Sequence, residues 1–225
     1  MIRVLIVDDQ PLMAHALGVF VDAAEGLESV GIVSDGEAGV VAARNFLPDV
    51  VLMDMHMPVM NGVDTTRAIV SENPEIKVIA VTTFASDEYL VPALRAGASG
   101  YLVKDARPEE IVAAIREVHA GGSVISPRVT QELISAVRSA PIAPSSGSDA
   151  EAEAATLSDR ELQVVQGLAR GLSNLEIAEE LSLSEATVKG HMGRVMAKWQ
   201  LRDRVQVLVH AASLGIVQLG ALPHD

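Results

Sequence analysis

The first 120 residues alternate between two hydrophobic patterns, and this alternation limits the fold more than any other feature. Short apolar runs rich in β-branched residues are each followed by a stretch with helical periodicity, five times over. Continuous apolar runs are typical of parallel strands covered on both faces. With right-handed crossovers, the pattern predicts an α/β doubly wound fold with a five-stranded parallel sheet. The predicted strands are 3–7, 29–33, 49–53, 77–81 and 100–103, and the predicted helices are 11–23, 37–46, 61–71, 86–96 and 108–120.

The rest of the chain has a different organisation. A helical stripe at 127–138 is followed by residues 139–155, which are rich in Ala, Ser, Pro and acidic side chains and have almost nothing to bury. That composition is typical of a flexible linker. The remainder shows only helical periodicity, broken by short turns. The sequence thus predicts a first domain at 1–122, a linker with one short helix at 123–155, and a small four-helix domain at 156–219.

Charge is distributed unevenly along the chain. The formal net charge is −13, and residues 1–120 carry 8 basic and 18 acidic side chains. This argues against a protein that coats nucleic acid along its whole length. Within 186–204, however, five basic residues accompany a single acidic residue. One short stretch near the C-terminus is therefore locally basic.

Several classes of protein and site are excluded by what the sequence lacks. There is no Cys, which rules out disulfides, thiolate metal sites and a cysteine nucleophile. The first ten residues lack the basic start and long apolar run of a signal peptide, and no apolar stretch is long enough to span a membrane. We therefore expect a cytoplasmic protein that does not contact the membrane.

Polar side chains follow the predicted strands of the first domain. Asp8 and Asp9 follow the first strand, Asp54 the third, Thr82 the fourth and Lys104 the fifth. In a doubly wound sheet these strand ends form one crevice, where ligands usually bind. Three carboxylates repel one another, and Mg²⁺, which prefers oxygen ligands, would offset that repulsion. A lysine and a hydroxyl complete a site for a tetrahedral anion, and the absence of a Gly-rich phosphate loop argues against a nucleotide.

The order and spacing of these residues resemble the receiver domain of bacterial response regulators, whose fold is flavodoxin-like. The resemblance covers roughly residues 1–120. Four motifs carry it: LIVDD (5–9), VLMDMHMPVMNG (51–62), VTT (81–83) and YLVK (101–104).

This resemblance implies a phosphotransfer site. Asp54 would be the nucleophile that takes a phosphoryl group from a sensor histidine kinase. Thr82 would hydrogen-bond that group and Lys104 would pair with it, while Tyr101 matches the switch aromatic that turns inward when Thr82 moves. The implied ligands of Mg²⁺ (or Mn²⁺) are Asp8, Asp9, Asp54 and the backbone carbonyl of His56.

Two other functions compete with this one. An aspartyl-phosphate hydrolase would share the acidic pocket, but it needs a second acid two positions after the nucleophile and a substrate-covering cap. His56 occupies that position and there is no cap insertion, so we expect no enzyme activity beyond the domain's own phosphotransfer and dephosphorylation. The second alternative is a phosphorylation-independent DNA-binding regulator that uses the receiver as a dimerisation module.

The C-terminal domain has the pattern of a helix-turn-helix. Ser158 and Glu161 form a capping box that opens its first helix. Asn174 is expected to cap the second helix and Ser184 the third, which spans about 185–199. Two short helices joined by a tight turn, the second one basic, are typical of DNA-binding domains. The basic side chains expected to contact phosphates and base edges are Lys189, His191, Arg194 and Lys198.

This domain resembles the LuxR-type DNA-binding domain through LSDRE, GLSNLEIAEEL and SEATVKGHMGRVMAK, and the whole chain resembles a NarL/FixJ-type response regulator. The resemblance implies that the third helix reads the DNA groove and that the fourth, about 202–214, forms a dimer. Gly190 and Gly193 stand where side chains usually contact bases. At the end of the third helix, Trp199-Gln200 stands where the family commonly has a small apolar residue followed by Gly. The implied partners are a kinase, a double-stranded promoter and, on phosphorylation, a second copy of the chain.

Pro92 lies inside the predicted helix at 86–96. It has no amide donor, and in an unbroken helix over this range its ring would crowd the carbonyl of Glu88, while Val91 before it would be pushed away from helical geometry. We therefore expect an irregular or mobile stretch at about 86–91, or a helix that begins only near residue 91.

Overall fold

The computed structural model describes residues 1–83, 89–122, 124–125, 155–170, 172–214 and 216. The chain divides into two units, residues 1–133 and 134–225, which we describe separately. The strands of the first unit are β1 (Ile2–Val7), β2 (Leu27–Val33), β3 (Val50–Asp54), β4 (Lys77–Thr82), β5 (Gly100–Val103) and β6 (Val124–Ile125). Its helices are α1 (Pro11–Asp22), α2 (Gly36–Phe46), α3 (Gly62–Glu72), α4 (Leu90–Arg95) and α5 (Pro108–His119).

All strands of the sheet are parallel, in the order β2-β1-β3-β4-β5-β6. The central strands are apolar on both faces because helices cover both. Helices α1 and α5 pack on one face, and α2, α3 and α4 follow one another on the other. This confirms the predicted doubly wound fold. The sheet has one strand more than the predicted five, since two residues beyond α5 pair with the edge of β5.

Helix α4 differs from its predicted extent. It begins at Leu90, four residues after the predicted start, and Pro92 is its third residue. The first amides of a helix have no partner within the helix, so a proline in the first turn sacrifices no helical hydrogen bond. The late start agrees with the alternative expected from Pro92, but the stretch at 84–88 lies outside the described residues.

The second unit is helical over its described residues. Its helices are α6 (Asp159–Ala169), α7 (Asn174–Leu181), α8 (Glu185–Trp199) and α9 (Arg204–Ser213). Helix α8 packs against the other three, and its residues Val188, Met192, Val195 and Trp199 are buried in the core of the unit. The predicted helix at 127–138 and the linker up to residue 154 lie outside the described residues.

One predicted helix cap is wrong. Asn174 is the first residue of α7, and Ser173 is its cap: the Ser173 side chain accepts a hydrogen bond from the amide of Glu176 at 3.2 Å. Glu176 stands three residues after Ser173, which is the spacing of a capping box. Ser158 and Ser184 cap α6 and α8 as predicted. In the part of the chain that the structure describes, no helix is both long and apolar enough to cross a membrane.

Candidate functional site

The sheet brings the predicted acidic residues together at one edge. Asp8 directly follows β1 and Asp54 is the last residue of β3, and the pairing of Val7 with Met53 aligns the two strand ends. Asp8 and Asp54 are each 2% exposed. Together with half-buried Asp9 they offer carboxylate oxygens that all lie within 4.8 Å of one another. This cluster is the acidic pocket.

Lys104 reaches into the acidic pocket from the end of β5. Its Nζ lies 2.8 Å from Oδ2 of Asp8 and 2.8 Å from Oδ2 of Asp54, and its side chain is only 4% exposed. An ammonium between two buried carboxylates offsets their mutual repulsion, and a buried charge needs such a partner. The lysine therefore sits where an anion bound at Asp54 would meet a positive charge.

Burial and pairing act in opposite directions on the pKa values of the two central groups. Burial raises the pKa of Asp54 above its usual range and outweighs the hydrogen bonds from Lys104 and from the His56 amide. For Lys104, burial alone would lower the pKa, but hydrogen bonds to Asp54 and Asp8 raise it overall. The lysine thus stays charged beside a carboxylate that is poorly hydrated, which is an environment typical of reactive groups.

The donor set of the acidic pocket suits a divalent cation. It offers only carboxylate oxygens, the ligands that Mg²⁺ prefers. Oδ1 of Asp9 is buried and accepts no hydrogen bond from the described residues, whereas Oδ1 of Asp8 accepts one from the Gln10 amide at 2.9 Å. A cation would satisfy the Asp9 oxygen, so the residues fit the metal implied by the resemblance.

The other predicted pocket residues lie around Asp54. Thr82 ends β4 beside it and is fully buried, and its carbonyl accepts a hydrogen bond from the Lys104 amide at 2.6 Å. Tyr101 on β5 is also fully buried, so its ring points inward here. The His56 amide donates to Oδ1 of Asp54 at 3.2 Å, and the exposed His56 ring makes a T-shaped contact with the ring of Tyr89 at a centroid distance of 4.7 Å.

The loop between β3 and α3 is held close to the acidic pocket by a glycine. A Cβ at Gly62 would lie 2.2 Å from the carbonyl oxygen of Asp54, so only glycine permits this approach. In the same loop, Val59 has φ +68° and is 91% exposed. A β-branched residue rarely adopts this left-handed conformation. Neither residue was predicted from the sequence to shape the acidic pocket.

Helix α8 carries the four basic residues predicted to contact DNA, which we call the reading surface (Lys189, His191, Arg194 and Lys198); Lys189, Arg194 and Lys198 are exposed and His191 is half-buried. The side chains of Lys189 and Arg194 are 62% and 56% exposed. Lys189 pairs with Glu185 at 2.9 Å, and an Arg194 guanidinium nitrogen lies 2.7 Å from Nδ1 of His191. Exposed cations on a helix after a tight turn can approach phosphates.

Glu161 is a residue of this unit whose role the sequence only partly indicated. Its capping box with Ser158 was predicted, but its carboxylate also lies 2.6 Å from Nζ of Lys198 and 3.4 Å from Nε of Arg194. Although burial alone would raise the pKa of Glu161, hydrogen bonds from Lys198 and Ser158 lower it to about 2. The carboxylate is therefore charged at neutral pH.

Helix α8 ends at Trp199, and Gln200 follows it at the position where the family usually has Gly. Gln200 caps it in the left-handed conformation with φ +55° and donates its amide hydrogen to the Met196 carbonyl. That conformation is the one in which glycine is usually found. A glutamine thus takes over the geometry of the glycine that the resemblance leads one to expect.

Two protein families match the chain, one in each unit. The family described as response regulator receiver domain matches residues 4–116, and the luxR family of bacterial regulatory proteins matches residues 155–211. The first match includes every residue of the acidic pocket. The second includes α6, α7 and the whole reading surface.

Individual proteins are similar to the chain over nearly its whole length. The transcriptional regulatory protein LnrK of Bacillus subtilis (strain 168) is 36% identical, covering 96% of this chain and 99% of its own. The nitrate/nitrite response regulator protein NarL of Escherichia coli (strain K12) is 31% identical, covering 92% and 93%. Among solved structures, the response regulator ChrA of a heme-sensing two-component system is 30% identical, with a TM-score of 0.53 over 96% of this chain and 98% of that one.

Proposed function

This chain belongs to the NarL/FixJ-type response regulators, and we propose that it accepts a phosphoryl group on Asp54 from a sensor histidine kinase and then regulates transcription as a DNA-bound homodimer. Membership makes it a transcription regulator of two-component systems rather than a classical enzyme. The phosphoacceptor residue, the kinase and the dimer are the parts that we propose.

One observation carries the proposal: Asp54 is buried between a lysine and two further carboxylates. A buried, paired carboxylate with a nearby cation is placed for nucleophilic attack on phosphorus, because positioning and charge neutralisation dominate phosphoryl transfer. If the receiver were only a dimerisation module, the buried lysine and carboxylates would have no function. We therefore favour phosphorylation.

The proposed transfer has a simple balance of bonds. A carboxylate oxygen of Asp54 attacks the phosphorus of a phosphohistidine, the O–P bond forms as the N–P bond breaks, and the imidazole leaves with the electron pair and later takes a proton. Lys104, whose pKa is raised, remains protonated and pairs with the phosphoryl oxygens. Thr82 would hydrogen-bond the transferred group, and Tyr101 would respond to its movement.

Asp8, Asp9, Asp54 and the His56 carbonyl are the residues that would hold Mg²⁺ (or Mn²⁺). When bound, the cation supplies positive charge against the phosphoryl oxygens. The protein's own contribution is to keep three carboxylates close together at the strand ends.

For DNA binding, we propose that α8 lies in the major groove and that its reading surface contacts phosphates and base edges of a double-stranded promoter. The exposure of Lys189 and Arg194 supports this role. Two linked reading helices would bind two half-sites with a raised effective concentration. We propose α9 as the element that joins them.

A phosphodonor experiment tests the phosphoacceptor. The full chain is incubated with acetyl phosphate and Mg²⁺, and its intact mass is measured. We expect a gain of one phosphoryl group in the wild type and none in Asp54→Asn, whose side chain is nearly isosteric. Asp64→Asn, an exposed substitution on α3, serves as the matched control and should be labelled like the wild type. Equal labelling of Asp54→Asn would show that another residue accepts the group.

A further inference from the structure

One buried carboxylate of α6 joins most of the reading surface of α8. Oε2 of Glu161 accepts hydrogen bonds from the Ser158 amide at 2.8 Å and from Nζ of Lys198 at 2.6 Å. Oε1 lies 3.4 Å from Nε of Arg194, whose terminal nitrogen lies 2.7 Å from His191. Lys198 also donates to the carbonyl of Thr156 at 2.8 Å. The network thus links Lys198, Arg194 and His191 to a single acid.

Helix capping alone does not account for this arrangement. Glu176 makes the same capping box with Ser173 at the start of α7, and it does so while exposed to solvent. A glutamine could make either capping box equally well, because only a hydrogen-bond acceptor is needed. Glu161, in contrast, is 2% exposed and carries its charge beside two cations. Its burial and its charge therefore need another explanation.

A buried anion restricts the cations that pair with it. Taking the Glu161 carboxylate out of water is costly unless its partners stay in place, which favours the paired geometry of Lys198 and Arg194 over their other conformations. The carboxylate also cancels part of the positive charge that α8 shows to DNA. Binding to random duplex depends on the number of phosphates that cations neutralise, whereas discrimination depends on cations that are already ordered.

We propose that Glu161 is a positioning residue for DNA readout: by fixing Arg194 and Lys198 it lowers affinity for random duplex and raises discrimination in favour of a specific site. The proposal rests on the proposed DNA-binding function of α8. Glu161 itself does not contact DNA; it acts through Lys198 and Arg194.

Glu161→Gln separates charge from capping, and Glu185→Gln is the matched control. Glu185 also pairs with a basic residue of the reading surface, Lys189, but that pair is exposed. Both substitutions remove one negative charge near the DNA. Affinities of the full chain are measured for a random-sequence duplex and for a duplex that the wild type enriches from a random pool, at several salt concentrations.

The proposal predicts different behaviour on the two duplexes. Glu161→Gln should bind the random duplex about 3 to 10 times more tightly, with a salt slope steeper by about 1. It should bind the enriched duplex no more tightly than the wild type, so the specificity ratio falls at least about threefold. Glu185→Gln should shift both affinities by the same factor.

The proposal is overturned if the specificity ratio of Glu161→Gln stays within about twofold of the wild-type ratio. It is also overturned if the specificity ratio of Glu185→Gln falls by the same factor as that of Glu161→Gln. Failure of the wild type to enrich any duplex counts against the DNA-binding function instead, so the two failures are distinguishable.

A second measurement needs no destabilising variant. The ammonium of Lys198 gives an observable ¹H–¹⁵N signal at neutral pH only while its hydrogens are held away from water, and the signal is assigned by its loss in Lys198→Arg. The proposal predicts that the wild-type signal persists when the random duplex is added. Loss of the signal on DNA would show that Lys198 leaves Glu161, which contradicts a positioning role.

Discussion

The two units hold their functional charges in opposite ways. In the receiver, Lys104 and Asp54 are almost fully buried at the ends of parallel strands. On α8, Lys189 and Arg194 are more than half exposed. Glu161 is an exception in the second unit, because it is as buried as Asp8 and Asp54. Where a charge is buried, the fold fixes its position and depends on its partner; where it is exposed, a substitution changes binding with little effect on folding.

The largest effect is expected in the acidic pocket. Lys104→Met leaves Asp8 and Asp54 buried without their cation, which should lower the free energy of unfolding of the receiver by about 3 to 5 kcal/mol. Mg²⁺ should recover part of this loss, because it binds the folded pocket and not the unfolded chain. Urea unfolding followed by circular dichroism, with Mg²⁺ or with a chelator, measures both effects. An unchanged midpoint would show that the pocket does not depend on Lys104.

A smaller effect is expected at the buried acid of the second unit. The pKa of Glu161 is lowered from 4.5 to about 2 by folding, so its contribution to stability is complete above about pH 4.5 and is lost as the pH falls towards 2. We expect the second unit to lose about 2 to 3 kcal/mol over that range, after allowing for the partial exposure of Lys198.

The single tryptophan, Trp199, reports on this unit alone. Urea unfolding followed by its fluorescence at successive pH values measures the loss. In Glu161→Gln the pH dependence should be clearly smaller, and what remains includes the contribution of Glu176, whose pKa is lowered by its hydrogen bonds with Ser173. A wild type with flat stability between about pH 4.5 and about pH 2 would contradict the ion pairs.

The smallest effect concerns backbone strain near the acidic pocket. Val59 is 91% exposed and has φ +68°, so Val59→Gly removes strain and loses almost no packing. We expect the receiver to become more stable by about 1 kcal/mol, since the strain of a left-handed residue exceeds the entropy that glycine adds to the unfolded chain. Gln200→Gly, at the end of α8, is the counterpart in the second unit, and the Trp199 signal should show a gain there. A loss of stability in Val59→Gly would mean that this loop does not have the described conformation.

The sequence predicts the acidic pocket better than the reading surface. Parallel strands end at a common edge, so placing Asp8, Asp54 and Lys104 after strands is enough to bring them together. Glu161 and Lys198, which form an ion pair, are separated by 37 positions in the sequence. Their contact depends on how α6 crosses α8, which helical periodicity does not specify. The strand β6 was missed for a similar reason: two residues carry no pattern, and their pairing depends on the free edge of β5.

Local chemistry explains the remaining differences. The Ser-x-x-Glu spacing identifies Ser173 as the cap of α7 more strongly than it does Asn174, because Glu176 must return to the cap's own amide. Pro92 indicated a late start of α4, although the helical stripe suggested an earlier one. In both cases a specific hydrogen-bonding rule is a better guide than hydrophobic periodicity.

The most direct test of the account measures phosphorylation and DNA binding in the same samples. The full-length wild type and Asp54→Asn are treated with acetyl phosphate and Mg²⁺, and sedimentation and affinity for the enriched duplex are followed. We predict that the treated wild type becomes dimeric and binds the duplex at least about tenfold more tightly, through the effective concentration of two reading helices, whereas Asp54→Asn does not change. Equal mass and equal affinity with and without the phosphodonor would contradict the account and favour a regulator that works without phosphorylation.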